Sequence, residues 1–407
     1  MNTFAMASRY LTRSWHRSLI NIATMALASG VMIFYVSLME GLLTQAEERV
    51  IAMELAHVQL HAQNYRTDPD LYNYMVDIEP LLSELVSQQV STSSRLFATG
   101  LGASEKTSSG IQLWGVDLRG EPTVTQLHAN LLEGKWLEQS KPNEVVIGKQ
   151  LAKILDLDIG DELIVLGQAF DGAMANELLI VRGILKSVGR ELDRTSVLMS
   201  QQSFRALFSF PQGAHEIAIR DQNSERSLME LKALVTEASG EFEVASWREI
   251  QPFIADIIDT SRGSIYLLVI IAYTAVAMVI LNAMLMSVFE RIREFGVLKA
   301  LGLSPMQLLK LIFLETILQV SVAAVIGVAV AVPITLYYAQ VGIDLSRFSQ
   351  EFDWSGVTMS PIWHPSLSQH ALVSPIVILF LISFLAVIYP AIKAASIVPI
   401  KAIYMRD

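Results

Sequence analysis

Charged side chains draw attention where they interrupt apolar sequence, and FERIREFGVLKALG, residues 289–302, does so most sharply. Glu290, Arg291, Arg293, Glu294 and Lys299 fall within fourteen residues, between two of the most apolar runs of the chain. Phe289, Ile292, Phe295, Val297, Leu298 and Leu301 are interleaved with them, which is too apolar for a solvated linker. Such a mixture suits a surface that docks on a partner, or a helix lying at lipid headgroups. The residues alone leave both open. Glu315 follows at the start of the next apolar run, where an ionisable group is costly and is either functional or paired with a base.

Other chemistry is weaker. His57 and His61 stand four apart, as metal ligands on one helix face would. HVQLHA, however, alternates with period two and predicts a surface strand with no third ligand nearby. In LFATGLGASEKTSSG, Gly100, Lys106 and Thr107 fit a phosphate loop, but Glu105 takes the second glycine position and puts a carboxylate where phosphate should sit. No G-x-S-x-G or H-E-x-x-H motif occurs. With no cysteine there is neither a disulfide framework nor a thiolate metal site, and a net charge of −10 argues against a nucleic-acid partner.

The elements that position these residues are set by hydropathy. Of 407 residues 52% are hydrophobic and only 17% charged, below the ~25% of soluble domains. Four runs reach the roughly 20 residues that cross a bilayer: 19–43, 264–288, 305–340 with a cytoplasmic lead-in, and 370–394. Arg9, Arg13 and Arg17 before LINIATMALAS have the look of a signal peptide, but the apolar run continues to Met39, so an uncleaved span is expected. Lysine and arginine near the span ends set orientation. The N-terminal tail, the segment 289–304 and the tail 395–407 are basic, so both termini are expected in the cytoplasm. Residues 44–263 carry 19 basic and 32 acidic side chains, net −13, and are expected outside, as is the short loop 341–369. The fold expected is a polytopic α-helical membrane protein with four transmembrane helices and a large α+β extracytoplasmic domain between helices 1 and 2.

Within that domain EVVIGKQLAKILDLDIGDELIVLG reads strand, helix, turn, strand, and HEIAIRD to EFEVASW reads strand, helix, strand, a βαβ-like unit. Its edges read as helical stalks. Leu43, Ala46, Val50 and Met53 extend the first span as one helix to about residue 55. Ser246 and Glu249 form a capping box, and Ile250, Phe253, Ile254, Ile257 and Ile258 make an apolar face on a helix expected to run straight into the second span. In the charged segment Gly296 and Gly302 bracket a short helix, and Ser304, Pro305 and Gln307 start the next. Ser321, Ala323, Ala324, Gly327, Ala329 and Ala331 let another helix approach, in a bundle or at a dimer seam.

E-R-x-R-E-F-G-V-L-K-A-L-G resembles the cytoplasmic coupling segment of ABC permeases of the macrolide-exporter, lipoprotein-releasing and cell-division group. YPAIKAASIVPIKAI resembles the same group's tail, NEVVIGKQLAKILDLDIGDEL and GVDLRGEP resemble its extracytoplasmic domain, and the basic stretch 1–18 resembles its elbow helix. The resemblance covers nearly the whole chain. It implies a bacterial inner-membrane permease that is not itself an enzyme and works with a second permease, itself or a paralogue. ATP and magnesium would be bound by a separate cytoplasmic ABC ATPase and nothing by this chain. The coupling residues it implies are Glu290, Arg291, Arg293, Glu294, Phe295, Gly296, Val297, Leu298, Lys299, Ala300 and Gly302. The stalks would transmit ATP-driven motion to the outside domain. The layout is nearest the lipoprotein-releasing permeases, which implies lipoprotein or other amphiphilic cargo extracted from the outer leaflet. GQAFDGAMANE, residues 167–177, is shorter than the hook of relatives that hand cargo to a periplasmic chaperone and lacks its proline. Two alternatives stay open: an efflux permease for peptides or macrolides with an adaptor, and a non-transporting regulator of a cell-wall hydrolase.

Overall fold

The computed structural model describes residues 15–221, 226–346, 352–354 and 357–398. It divides into two units, Gln45–Ile258 with Ser349–Ser360, and the rest. The expected elbow helix lies outside the described residues as far as residue 14.

In the membrane unit, four helices among the described residues are long and apolar enough to cross a bilayer. They are α1 (Trp15–Val50), α9 (Pro252–Glu290), α11 (Pro305–Val341) and α12 (Gln369–Ala395), numbered with the outside domain's helices between them. The first three have 36, 39 and 37 residues, well beyond the ~20 that hydrocarbon requires. α11 starts as its residues dictate: Ser304 caps it, Gln307 completes the capping box and Pro305 occupies the first turn. Its small residues pack within the chain. Ala323, Gly327 and Ala331 are buried, and a side chain on Gly327 would meet Ser29 Cβ at 2.8 Å and the Ala26 carbonyl at 3.0 Å. Gly30 lies against the Gly327 backbone, so α1 and α11 approach almost backbone to backbone. Phe313 and Phe384 stack between α11 and α12, with ring centroids 4.6 Å apart.

The outside domain carries one ten-stranded sheet that serves two cores. β1 (Val58–His61), α2 (Glu79–Ser87) and β2 (Val90–Ala103) form one strand–helix–strand unit. β9 (Glu216–Asp221), α7 (Leu228–Ser239) and β10 (Glu243–Ser246) form a second. The strand order is β10-β1-β9-β2, all neighbours antiparallel, so each unit has a strand of the other inserted between its own two. This is the ferredoxin-like split βαβ arrangement. The expected βαβ unit is therefore present, but β9 and β10 are separated by β1. That position also corrects the reading of HVQLHA. It is a strand, yet a central one buried on both faces, and not a surface face.

β2 then leaves this sheet. Its first residues, Val90–Arg95, pair with β9, and its last, Gly100–Ala103, pair with β6 (Glu162–Gln168). Pairing continues through β3 (Ser108–Val116), β8 (Ser196–Ser200), β5 (Glu144–Ile147) and β7 (Met174–Leu185) back to β6, closing a six-stranded ring. A Cβ at Gly100 would lie 2.5 Å from the Leu166 carbonyl, so glycine is what lets β6 close there. Leu113, Val145, Ile147, Leu163, Val165 and Phe208 fill the ring. The helix α4 (Lys149–Leu155) and the turn before β6 form as read, but β5 and β6 are not neighbours, since β7 lies between them. The segment with Gly100, Lys106 and Thr107 is the β2–β3 hairpin, with Lys106 paired to Asp156.

The second stalk departs from the expectation. Ser246 and Glu249 do form the capping box, but the helix they open, α8 (Trp247–Ile250), stops after one turn. Gln251 is non-helical, with φ −119° and ψ 66°, and the helix restarts at Pro252. Proline disfavours helical backbone in the residue before it and offers no N–H to continue the ladder. The stripe from Ile250 to Ile258 is therefore not one face: Phe253 is 68% exposed and only Ile258 among the five is fully buried. The first stalk also changes form, from α-helix at Val50 to a π-turn over Ile51–Leu55, with Leu43, Ala46, Val50 and Met53 all buried.

Two outcomes follow. Gly327→Leu should overpack the α1–α11 seam by about 1–3 kcal/mol and lower the unfolding temperature in detergent, whereas Gly263→Ala, with nothing within 4 Å, should not. Burial works to raise the Glu249 carboxyl, but Lys232 and the Ser246 N–H and hydroxyl outweigh it and hold it at about 2. A carboxylate depressed in the folded state adds stability above its unfolded value, near 4.5, and that contribution is lost as pH falls toward 2. The fall in unfolding temperature between these values should be shallower in Glu249→Gln.

Candidate functional site

The charged segment forms a short helix, α10 (Ile292–Ala300), set off from α9 by Arg291 at φ −100°, ψ 10° and from α11 by Gly302 at φ +97°. Gly302 takes the left-handed position that favours glycine. Gly296 does not delimit the helix as expected; it lies buried in its middle.

Most of residues 289–302 fall into an inward or an outward set, with Glu294 and Leu298 intermediate. Arg291, Phe295, Gly296 and Lys299 turn inward. Phe295 is 1% exposed, with the Arg291 guanidinium 5.0 Å from its ring centroid. Arg291 Nη1 donates to Glu315 Oε2 at 3.2 Å, and both side chains are largely buried. Glu315 is thus held by a base from the coupling segment, and Glu294 lies 3.7 Å from the same guanidinium. Lys299 Nζ donates to the carbonyls of Ala395 at 2.8 Å and Ile397 at 2.6 Å. A cation there satisfies orphan carbonyls at the C-terminus of α12 and sits at the negative end of its dipole. Lys393, in the last turn of α12, reaches back over the Phe289 ring at 5.9 Å.

Phe289, Glu290, Arg293, Val297, Ala300, Leu301 and Gly302 turn outward, with Leu298 half-buried. Phe289 is 49% exposed, Val297 45% and Leu301 80%. With Arg293 they recur every fourth residue and form one apolar ridge beside a cation. The inward set fixes the helix to the bundle, and the outward set is exposed.

A second polar cluster, which the sequence reading did not single out, lies in the outside domain. Arg95 is wholly buried, with Nε and Nη2 on the two carboxylate oxygens of Glu121 at 3.1 and 2.6 Å and Nη1 on Glu216 Oε1 at 2.7 Å. Burial alone would raise the Glu121 carboxyl, but the Arg95 charge and the bonds from Arg95, Ser93 and Thr125 pull it below its ordinary value. His61 Nε2 lies 3.4 Å from Glu216 Oε2, and no group of three metal-type ligands occurs among the described residues. The one available signal was an arginine inside the strand sequence SSRLFATG, where a buried charge demands partners.

Glu315→Gln should strip the carboxylate from a buried arginine and cost about 3–5 kcal/mol, read as a lower unfolding temperature in detergent. Arg291→Met with Glu315→Leu together should cost less than that single change.

Comparison with known proteins agrees with this architecture. The model of the MacB-like periplasmic core domain matches residues 18–237, more than half of the chain, and the model of the FtsX-like permease C-terminal matches residues 266–399. An uncharacterized ABC transporter permease of Methanocaldococcus jannaschii is 23% identical over 67% of this chain, and the match spans 64% of that protein, just under two thirds of its length. The lipoprotein-releasing system transmembrane protein LolE of Haemophilus influenzae is 22% identical over 93% of this chain and 92% of its own. The corresponding LolC of Neisseria meningitidis is 22% identical over 95% and 93%. With four membrane-length helices and a MacB-like domain between the first two, the chain belongs to the MacB- and FtsX-like family of ABC transporter permeases.

Proposed function

We propose that this permease is the membrane subunit of an ATP-driven machine in a bacterial inner membrane that extracts lipoproteins, or another amphiphile, from the outer leaflet. ATP is hydrolysed on a separate cytoplasmic subunit, which docks on the outward ridge of α10, and a second permease completes the assembly. The observation that carries the reading is the division of α10. Arg291, Phe295 and Lys299 bind it to α11 and α12, while Phe289, Arg293, Val297 and Leu301 are left for a partner. A push on this ridge reaches two membrane helices through an ion pair and a capped helix end. The basic segments 289–304 and 395–407 support a cytoplasmic position for the ridge and for both termini. Lipoprotein cargo is supported by the names of the LolE and LolC relatives, which match along more than nine tenths of their length.

Val297→Glu with Leu301→Asp should abolish co-purification of the ATPase, while insertion and unfolding temperature stay unchanged because neither side chain packs in the bundle. Co-purification that survives both changes would remove the docking surface from the proposal. Loss of the permease should leave an acylated lipoprotein in the inner membrane; accumulation of a soluble peptide instead would favour efflux.

A further inference from the structure

The end of the first long helix is a complete hydrogen-bonding problem. An α-helix leaves its last four carbonyls without intrahelical donors. Here the chain passes through the π-turn Ile51–Leu55 and stops at Ala56, which is fully buried at φ 57°, a conformation that favours glycine. A π-turn and a left-handed alanine are both costly and persist only where the surroundings impose them.

The surroundings are visible. The Ile51 carbonyl accepts from the Ala56 N–H at 2.9 Å. The Ala52 carbonyl accepts from the Gln126 N–H at 2.7 Å. The Glu54 carbonyl accepts from Arg95 Nη1 at 2.7 Å, and the Leu55 carbonyl from Gln59 Nε2 at 3.0 Å. Three of these four donors come from beyond the helix end: Gln126 after α3 (Glu121–Val124), Arg95 on β2 and Gln59 on β1. Arg95 is held in turn by Glu121 and Glu216, and the ring of Trp114 lies 5.6 Å away. It stands where β2 passes from the ferredoxin-like sheet to the closed ring, pairing with β9 on one edge and β3 on the other. One guanidinium therefore ties the helix end to both cores.

The second long helix is attached differently. The one-turn α8 belongs to the same joint: the Trp247 N–H donates to the His57 carbonyl at 3.1 Å, and Arg248 lies 3.7 Å from Glu47 on α1. The break at Gln251 follows, and only then does α9 begin.

We infer that Arg95 is a positioning residue that makes the outer end of the first long helix, residues 45–56, one rigid body with the outside domain, whereas the second long helix joins it through the hinge at Gln251–Pro252. This goes beyond the proposed transport cycle and needs neither ATPase nor cargo to be tested, so its failure is separable from that of the proposed function.

Hydrogen exchange on the whole chain in detergent decides it. In the native protein, peptides covering 51–57 should exchange at least about tenfold more slowly than those covering 250–254. Arg95→Gln should speed exchange at 51–57 and at Gln126 by about tenfold or more, with β7 and α4 unchanged. Gln59→Leu removes a single cap and leaves the charged cluster intact, so it should act in the same direction at 51–57 even if Arg95→Gln fails to fold. Lys106→Gln, at an exposed pair with Asp156 on the β2–β3 hairpin, should change neither. Equal native protection at the two joints would overturn the asymmetry. Unchanged exchange at 51–57 in Gln59→Leu, or uniform opening of the whole domain in a folded Arg95→Gln, would overturn the positioning role.

Discussion

A long helix carries its own unsolved ends. Each helix that crosses a bilayer satisfies its backbone internally, but the last turn arrives with carbonyls that need donors. In this protein the donors are cations and amides lent by other elements, and the functional parts are built around them. Lys299 of α10 caps the end of α12, and Arg95 of β2 caps the end of the π-turn after α1. Both bonds place a positive charge at the negative pole of a helix, where it is electrostatically favoured.

The same logic separates two roles within one short helix. A buried arginine needs a carboxylate, and Glu315 supplies it from the neighbouring helix. That pair explains a charge at the edge of an apolar run without giving it a transport role. What remains exposed on the segment is Phe289, Val297 and Leu301 with Glu290 and Arg293, so a stretch that mixes charged and apolar residues in sequence has a packed side and an exposed side. In the outside domain, one long strand shared between a split βαβ sheet and a closed ring brings Arg95 to the point where both cores meet. No local pattern announces that point.

Several features were legible in the chain. Four apolar runs, the acidic domain between the first two, and the capping boxes at Ser246 and Ser304 follow from periodicity and local chemistry, and the structure contains them. The departures each have a physical cause. The second stalk breaks because Pro252 outweighs an apolar stripe that otherwise continues through it. HVQLHA is buried on both faces because β9 and β10 come from far along the chain to flank it. Gly296 lies buried inside α10, and the boundaries fall instead at Arg291 and at the left-handed Gly302.

Sequence alone determined what depends on composition and near neighbours: the apolar runs, the charge asymmetry, the caps and the short helix in the charged segment. Tertiary structure decided which side of α10 is exposed, that the small residues of α11 close on Gly30 of α1, and that an arginine and two glutamates share one buried site. The reason is range. Arg95, Glu121 and Glu216 are separated by 26 and 121 residues from the arginine, and a buried charge shows its purpose only when the fold has brought its partners within hydrogen-bonding distance.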